Sequence, residues 1–290
     1  MLCLSCSRSR DRAEILLGRT DTILKALSAP VRSFYGGLVG HRLLFVHAHP
    51  DDESLWTGGT IARHVAAGGD ADLIVCTWAP GTSRHSEVVA AARILGLPRP
   101  PIALGYADDR IPASAPGAPR FCDVRLDTQV REMVEIIRRL RPDALVTYDP
   151  IGVYGHQDHI HAHRLADAAA RAAAVPNIYR RLGDPWQIKS IYEVTTAAWM
   201  VDILWEHVFD DMAVDRLQAT PDLDIDVRVD IESPAIVDRK EAAIQAHHTE
   251  LDRSRAMKAL MSLPTDIRRT LLATECYRRR DLVPGGVDLL

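Results

Sequence analysis

The chain has 290 residues, of which 47% are hydrophobic and 26% charged, and this balance excludes the disordered and fibrous classes of protein. The formal net charge of −4 favours neither nucleic acid nor an anionic membrane as a partner. No apolar run reaches the roughly 18 residues of a membrane span, and no secretory signal is recognisable. We therefore expect a cytoplasmic globular protein without a membrane span.

After an N-terminal extension, short apolar runs alternate with helical patterns along the chain. Residues 1–40 contain many charges and no strand pattern, so we expect them to be partly disordered and to precede one domain over residues 41–290. The predicted elements are a strand at 42–49, a helix at 54–67, a strand at 71–78, a helix at 84–95, a strand at 102–104, a helix at 127–140 and a strand at 143–148. This alternation predicts an α/β, Rossmann-like fold with a mostly parallel sheet and helices on both faces.

Two polar segments follow predicted strands, "HAHPDDE" at 47–53 and "YGHQDHIHAH" at 154–163. The carboxyl ends of parallel strands meet at one edge of the sheet, where ligands bind. His49 and Asp52 are three residues apart at a turn, and His156 and His159 are three apart at a helix start. Two imidazoles and a carboxylate form a common catalytic zinc set that leaves one position for water.

A structural explanation exists for each segment taken alone. Pro50 suits a first helical position, and acids in a first turn complement the helix dipole. The histidines between 156 and 163 could belong to a solvated helix start. A single metal site shared by the two segments is favoured over two separate structural explanations that would both have to hold.

The paired motifs "AHPDDE" at 48–53 and "YGHQDH" at 154–159 resemble the signature of the LmbE and PIG-L type zinc N-deacetylases. These enzymes remove the acetyl group from N-acetylglucosaminyl conjugates. The resemblance extends from about residue 42 to 250 and includes looser matches, among them Arg84, Asp108 and His247. It implies an LmbE-like fold, one Zn²⁺ per chain and a small-molecule glycoconjugate substrate.

The resemblance also implies a role for each motif residue. His49, Asp52 and His159 would be the metal ligands, and Asp51 the general base. His156 would be an electrostatic or acid group, with Asp158 behind it as an orienting carboxylate, and Tyr154 would stabilise the oxyanion. The implied substrate contacts are Arg84, Asp108, Trp199, Trp205 and His247.

The acceptor of the sugar is less defined than the reaction. The sequence "TWAPGTSR" at 77–84 stands where many relatives have a Gly-Glu pair that contacts the sugar, and Thr249-Glu250 replaces the usual Ser-Gln. The apolar segment 195–209, which contains Trp199 and Trp205, is either a core helix or a wall for a large apolar acceptor.

These features favour a natural-product glycoside as substrate, and the chain is similar to deacetylases of teicoplanin-type glycopeptide antibiotic biosynthesis. The first alternative within the family is a mycothiol-type conjugate amidase or deacetylase. The second is a non-catalytic sugar-binding relative, against which the retained base Asp51 argues.

Overall fold

A seven-stranded sheet organises the residues that the structure, a computed structural model, describes, namely 40–208 and 218–290. The strands are β1 (Arg42–His47), β2 (Asp70–Thr77), β3 (Ile102–Tyr106), β4 (Ala144–Tyr148), β5 (Ser190–Thr195), β6 (Val227–Asp230) and β7 (Thr274–Asp281). Their order across the sheet is β3-β2-β1-β4-β5-β7-β6. Strands β1 to β5 are parallel, and β7 runs antiparallel to both of its neighbours. The predicted α/β fold class is confirmed.

The central strands are apolar because helices cover both faces of the sheet. Leu43, Leu44, Phe45 and Val46 of β1 are all fully buried. A strand in a half-exposed sheet would alternate apolar and polar residues instead. Strand β1 pairs with β2 on one side and β4 on the other. The strand order therefore reverses between β1 and β4, and a crevice forms beyond their carboxyl ends.

Eleven α-helices lie in the described part of the chain. They are α1 (Asp52–Trp56), α2 (Gly58–Ala66), α3 (Ser83–Leu95), α4 (Leu126–Leu140), α5 (Gly152–Gly155), α6 (Gln157–Ala173), α7 (Ala198–His207), α8 (Pro234–Ala246), α9 (His248–Arg253), α10 (Arg255–Met261) and α11 (Thr265–Leu272). None of them combines the length and apolarity that crossing a membrane requires.

The predicted helix at 54–67 is in fact two helices. Thr57, with φ −135°, ends α1 and precedes α2. Its hydroxyl donates to the carbonyl of Glu53 at 3.1 Å and lies 2.9 Å from Nε2 of His47. Because a buried Thr57 side chain bonds both the preceding turn and β1, the backbone breaks here, and apolar periodicity could not reveal that.

The predicted N-terminal extension lies outside the described residues, apart from Gly40. Its separation from the domain at 41–290 stays a prediction.

Candidate active site

The two polar segments meet in the crevice between β1 and β4. His49 and α1 follow β1 directly, while α5 and the start of α6 follow β4. Gly152, at φ 67°, approaches α6 so closely that a Cβ there would lie 2.9 Å from His159 Cβ. Glycine therefore allows α5 to pack on α6 and brings the second segment to the first.

Three side-chain atoms from these segments form a small triangle. Nδ1 of His49 lies 3.2 Å from Nε2 of His159 and 3.2 Å from Oδ2 of Asp52. Nε2 of His159 lies 3.4 Å from the same Asp52 oxygen. All three residues are buried.

The triangle fits a tetrahedral metal site. Zinc ligands at about 2.0–2.1 Å from the ion are separated from one another by about 3.3 Å, which matches all three edges. Two other donor groups occur in the described residues: one shares His49 and His159 with the triangle and adds His156, and the other combines His49 with Asp108 and Asp158. Nδ1 of His156 already accepts the backbone N–H of Asp158 at 3.2 Å, so the Asp52 triangle is the better ligand set.

Two neighbours hold the ligand side chains in place. Oδ2 of Asp158 lies 3.1 Å from Nε2 of His49, the ring nitrogen that faces away from the triangle. A carboxylate in this position fixes the tautomer and orientation of a ligating histidine. The carboxylate of Asp158 therefore contacts His49, whereas its contact with His156, behind which it was predicted to stand, is through the backbone N–H. Tyr148 donates to Oδ2 of Asp52 at 2.6 Å, and its ring stacks on that of His159.

The electrostatics of this centre favour a cation. Burial lowers the pKa of His49, but its hydrogen bonds to Asp158 and Asp52 outweigh burial and raise the pKa to about 10. The buried carboxylates therefore stabilise a positive charge at the centre of the crevice. A divalent metal ion satisfies the same carboxylates in place of that proton.

Asp51 lies beside the triangle and has a strained backbone. Its φ of 117° is rare for a residue other than glycine. Its N–H donates to Oε2 of Glu53 at 3.0 Å, and its carboxylate lies 2.9 Å from Nη2 of Arg84. Burial raises the pKa of Asp51 to about 7, against the opposing effect of Arg84. Such a carboxyl suits a general base near neutral pH.

His247 supports Asp51 from behind and does not line the cavity. The ring is fully buried, and its Nε2 lies 2.7 Å from Oε1 of Glu53, the residue that accepts from the Asp51 amide. These contacts give His247 a positioning role, and its predicted substrate contact stays a prediction. Its distance in sequence from Glu53, 194 residues, hides this pairing from motif analysis.

Tyr154 and His156 line the cavity next to the triangle. Their rings lie 5.2 Å and 4.9 Å from the ring of His159. Val153, at φ 63°, turns the backbone immediately before them. Burial raises the pKa of the Tyr154 phenol, so it remains a hydrogen-bond donor at neutral pH. Burial, with the nearby His49 and His159, lowers the pKa of His156.

Arg84 and Asp108 also line the cavity. Arg84 bridges Oδ2 of Asp51 and Oε2 of Glu250, the second at 2.7 Å, so its guanidinium is already engaged in positioning the base. Oδ2 of Asp108 lies 3.4 Å from Nε2 of His49. Asp108 is therefore close to the reaction centre, as expected for a group that contacts the sugar.

The cavity has a volume of about 670 Å³ and an apolar arm formed mainly by α7, α10 and α11. Helix α7 combines both predicted roles, since Val201 and Ile203 are buried whereas Met200 and Leu204 line the arm. The apolar residues that line this arm, from the three helices and the residue after α7, are Met200, Leu204, Val208, Ala256, Met257, Leu260, Leu271 and Leu272. Trp199 and Trp205 are not among the lining residues, and the substrate contacts predicted for them stay a prediction.

Tyr148 and Glu53 are the supporting residues that sequence reasoning missed. Tyr148 ends a buried strand, and Glu53 reads as a helix-capping acid. The signal for both was position, since Glu53 ends the motif "AHPDDE" and Tyr148 begins "YDPIGVYGHQDH", which runs into the second motif. Their partners became visible only once β1 and β4 were paired.

The chain is similar in sequence to a known enzyme family and to individual deacetylases. A family model described as GlcNAc-PI de-N-acetylase, PIG-L, matches residues 44–170. The 1D-myo-inositol 2-acetamido-2-deoxy-alpha-D-glucopyranoside deacetylase of Rhodococcus jostii (strain RHA1) is 35% identical over 267 residues, covering 81% of this chain and 90% of that protein.

Two solved structures share the fold. A conserved protein from Thermus thermophilus has a TM-score of 0.57 and 24% identity, covering 86% of this chain and 96% of that one. A deacetylase of the teicoplanin biosynthesis pathway has a TM-score of 0.52 and 17% identity, covering 84% and 100%. At these identities the likeness is one of fold alone.

Proposed function

The chain belongs to the GlcNAc-PI de-N-acetylase (PIG-L) family of hydrolytic deacetylases, and from that premise we propose that it removes the acetyl group from an N-acetylglucosaminyl inositol conjugate. The products are acetate and the free glucosamine amine. The observation behind the proposed reaction is the His49, Asp52 and His159 triangle with Asp51 beside it. The inositol acceptor is supported by the Rhodococcus jostii relative, a deacetylase of an inositol glucopyranoside that is 35% identical to this chain over 267 residues.

We propose Zn²⁺ as the metal, held by His49, Asp52 and His159, one per chain. When bound, it supplies Lewis-acid chemistry that lowers the pKa of water to about 7 and polarises the amide carbonyl. Asp51 accepts the proton of the attacking water at its carboxylate, which Arg84 holds in place. Tyr154 donates a hydrogen bond to the carbonyl oxygen as negative charge develops there. The leaving amine then takes from Asp51 the proton that its carboxylate accepted from the water.

We propose the inositol conjugate as substrate instead of the glycopeptide antibiotic that was expected from the sequence. The teicoplanin deacetylase shares only the fold, at 17% identity, whereas the Rhodococcus relative shares both sequence and length. A second candidate, an acceptor with an apolar group, is supported by the apolar arm of the cavity. A mycothiol-type amidase would use the same metal triangle on a thiol conjugate.

The test is acetate release from four substrates by protein stripped with a chelator and reloaded with Zn²⁺. The substrates are N-acetylglucosaminyl inositol, methyl N-acetylglucosaminide, an N-acetylglucosaminide with an aromatic aglycone, and a cysteine-conjugated glucosaminyl inositol, for which amine release is followed. We expect the inositol conjugate to have the highest kcat/KM and activity to require the metal. Preference for the aromatic glycoside or for the cysteine conjugate would select the corresponding alternative, and full activity of stripped protein would contradict the reaction itself.

A further inference from the structure

We propose that the acceptor of the substrate has an anionic group, a phosphate or a carboxylate, and that Arg110 and Arg253 bind it at the rim of the active-site cavity. The inference rests on the proposed function, because it names the part of the same conjugate that lies beyond the sugar.

The carboxylates that line the cavity lie in its buried part, where Arg84 and Lys240 are also buried. The carboxylates of the lining are all buried, namely Asp51, Asp52, Asp108, Glu250 and Glu275. The exposed charged residues of the lining are all arginines, namely Arg110, Arg253 and Arg255. Among the described residues, the exposed charges of the lining are therefore all positive. Guanidinium groups match the planar geometry of phosphate and carboxylate and bind them in a bidentate manner.

Arg110 has a fixed backbone and an uncommitted side chain. Oδ1 of Asp108 accepts the N–H groups of Arg110 at 2.7 Å and of Ile111 at 3.0 Å, which holds the turn against the reaction centre. Within residues 40–208 and 218–290, the Arg110 guanidinium forms no ion pair or side-chain hydrogen bond. Oδ2 of the same Asp108 lies 3.4 Å from Nε2 of His49, so Arg110 lines the cavity from a turn at its metal end.

Arg253 flanks the cavity from α9. Its Nη2 lies 2.6 Å from Oε2 of Glu250, the oxygen that also bonds Arg84. More than half of the Arg253 side chain remains exposed. Nε of Arg253 also bonds this Glu250 oxygen, at 3.0 Å, so among the described residues Nη1 is the guanidinium nitrogen that remains for a ligand. An anion between Arg110 and Arg253 would satisfy donors that Glu250 does not.

The experiment measures binding of deacetylated products, which do not turn over, to the full-length zinc-loaded protein by calorimetry at low salt. The ligands are glucosaminyl inositol, the same compound with a phosphate on the inositol, and a glucosaminyl conjugate with a carboxylate in its acceptor. We expect at least one anionic product to bind about tenfold more tightly than the neutral one. The better anion distinguishes phosphate from carboxylate.

Variants test whether the rim arginines are responsible. Arg110→Gln should reduce the affinity ratio of anionic to neutral product towards one, and Arg110→Lys should keep part of it. Arg131→Gln removes the same charge from an exposed position on α4 outside the cavity and should leave the ratio unchanged.

Equal affinities in the wild type, a ratio insensitive to Arg110→Gln, or no binding of any product would each overturn the inference. Because binding needs no turnover, a preserved ratio without acetate release would contradict only the proposed function. Acetate release without an anion preference would contradict only this inference.

Discussion

The phenol of Tyr148 donates a 2.6 Å hydrogen bond to Oδ2 of Asp52, the oxygen that faces His49 and His159. The same hydroxyl accepts the N–H of Ala48 at 2.7 Å. The Tyr148 ring stacks on the His159 ring at 4.1 Å between centroids and 8° between planes. One residue at the end of β4 therefore orients a carboxylate from α1 and an imidazole from α6.

Tyr148→Phe should weaken metal binding while preserving the fold. The substitution keeps the stacked ring and removes the hydroxyl, so Asp52 loses the donor that fixes its oxygen. Loss of such a supporting hydrogen bond typically reduces metal affinity about 10- to 100-fold. Competition with a chelator of known affinity measures the change. The matched control is Tyr192→Phe, which removes a buried hydroxyl bonded to the carbonyl of Val287. Equal metal affinities in both variants would mean that Tyr148 does not position the ligands.

Substituting a proposed metal ligand should lower the zinc content of the protein, whereas substituting Asp51 should not. His49→Ala or His159→Ala removes one corner of the triangle, so bound zinc should fall well below one per chain. Asp51→Ala leaves the triangle complete and should retain zinc. Metal analysis after gel filtration measures the content of each variant. Stoichiometric zinc in all three variants would reject the ligand assignment.

Most of the fold follows from patterns that the sequence displays openly. The helix predicted at 127–140 is α4, with Val130, Met133, Val134 and Ile137 on its buried face. Parallel strands and helical crossovers then require that the ends of β1 and β4 meet. For this reason two motifs about one hundred residues apart could be assigned to one site.

The parts of the site that escaped prediction depend on three-dimensional side-chain direction. Asp158 was expected behind His156, but the helix start places its carboxylate against His49 and its amide against His156. Helix α7 was expected to meet the acceptor through its tryptophans, yet its rotation presents Met200 and Leu204. Apolar periodicity identifies a helix face only when one face is polar, and α7 is apolar on more than one side.

Leu204 and Ile203 provide a direct comparison of the two faces of α7. Leu204→Ala should raise KM for a conjugate with an aromatic aglycone, by roughly fivefold for a loss of about 1 kcal/mol of apolar contact. Ile203→Ala should instead lower the free energy of unfolding by about 2–5 kcal/mol, because it opens a cavity in the core. Melting temperature and KM measured on both variants and on Trp205→Ala separate the effects. A KM increase for Trp205→Ala larger than that for Leu204→Ala would contradict the placement of the helix.

The N-terminal extension is expected to be dispensable. It offers no predicted strand to the sheet and no residue to either motif. A protein that begins at Ser33 should therefore keep its melting temperature and its zinc content. The full-length chain, purified in parallel, is the control. Aggregation or loss of zinc in the shortened protein would show that residues before Ser33 belong to the folded domain.

The most direct test of the central claim is the turnover of zinc-loaded Asp51→Asn on N-acetylglucosaminyl inositol, measured as free amine formed. Asparagine keeps the shape of the side chain but cannot accept the proton of the attacking water. With zinc content equal to that of the wild type, we expect kcat to fall by about 10²- to 10⁴-fold. Turnover close to that of the wild type would contradict the assignment of Asp51 as the base, and with it the proposed mechanism.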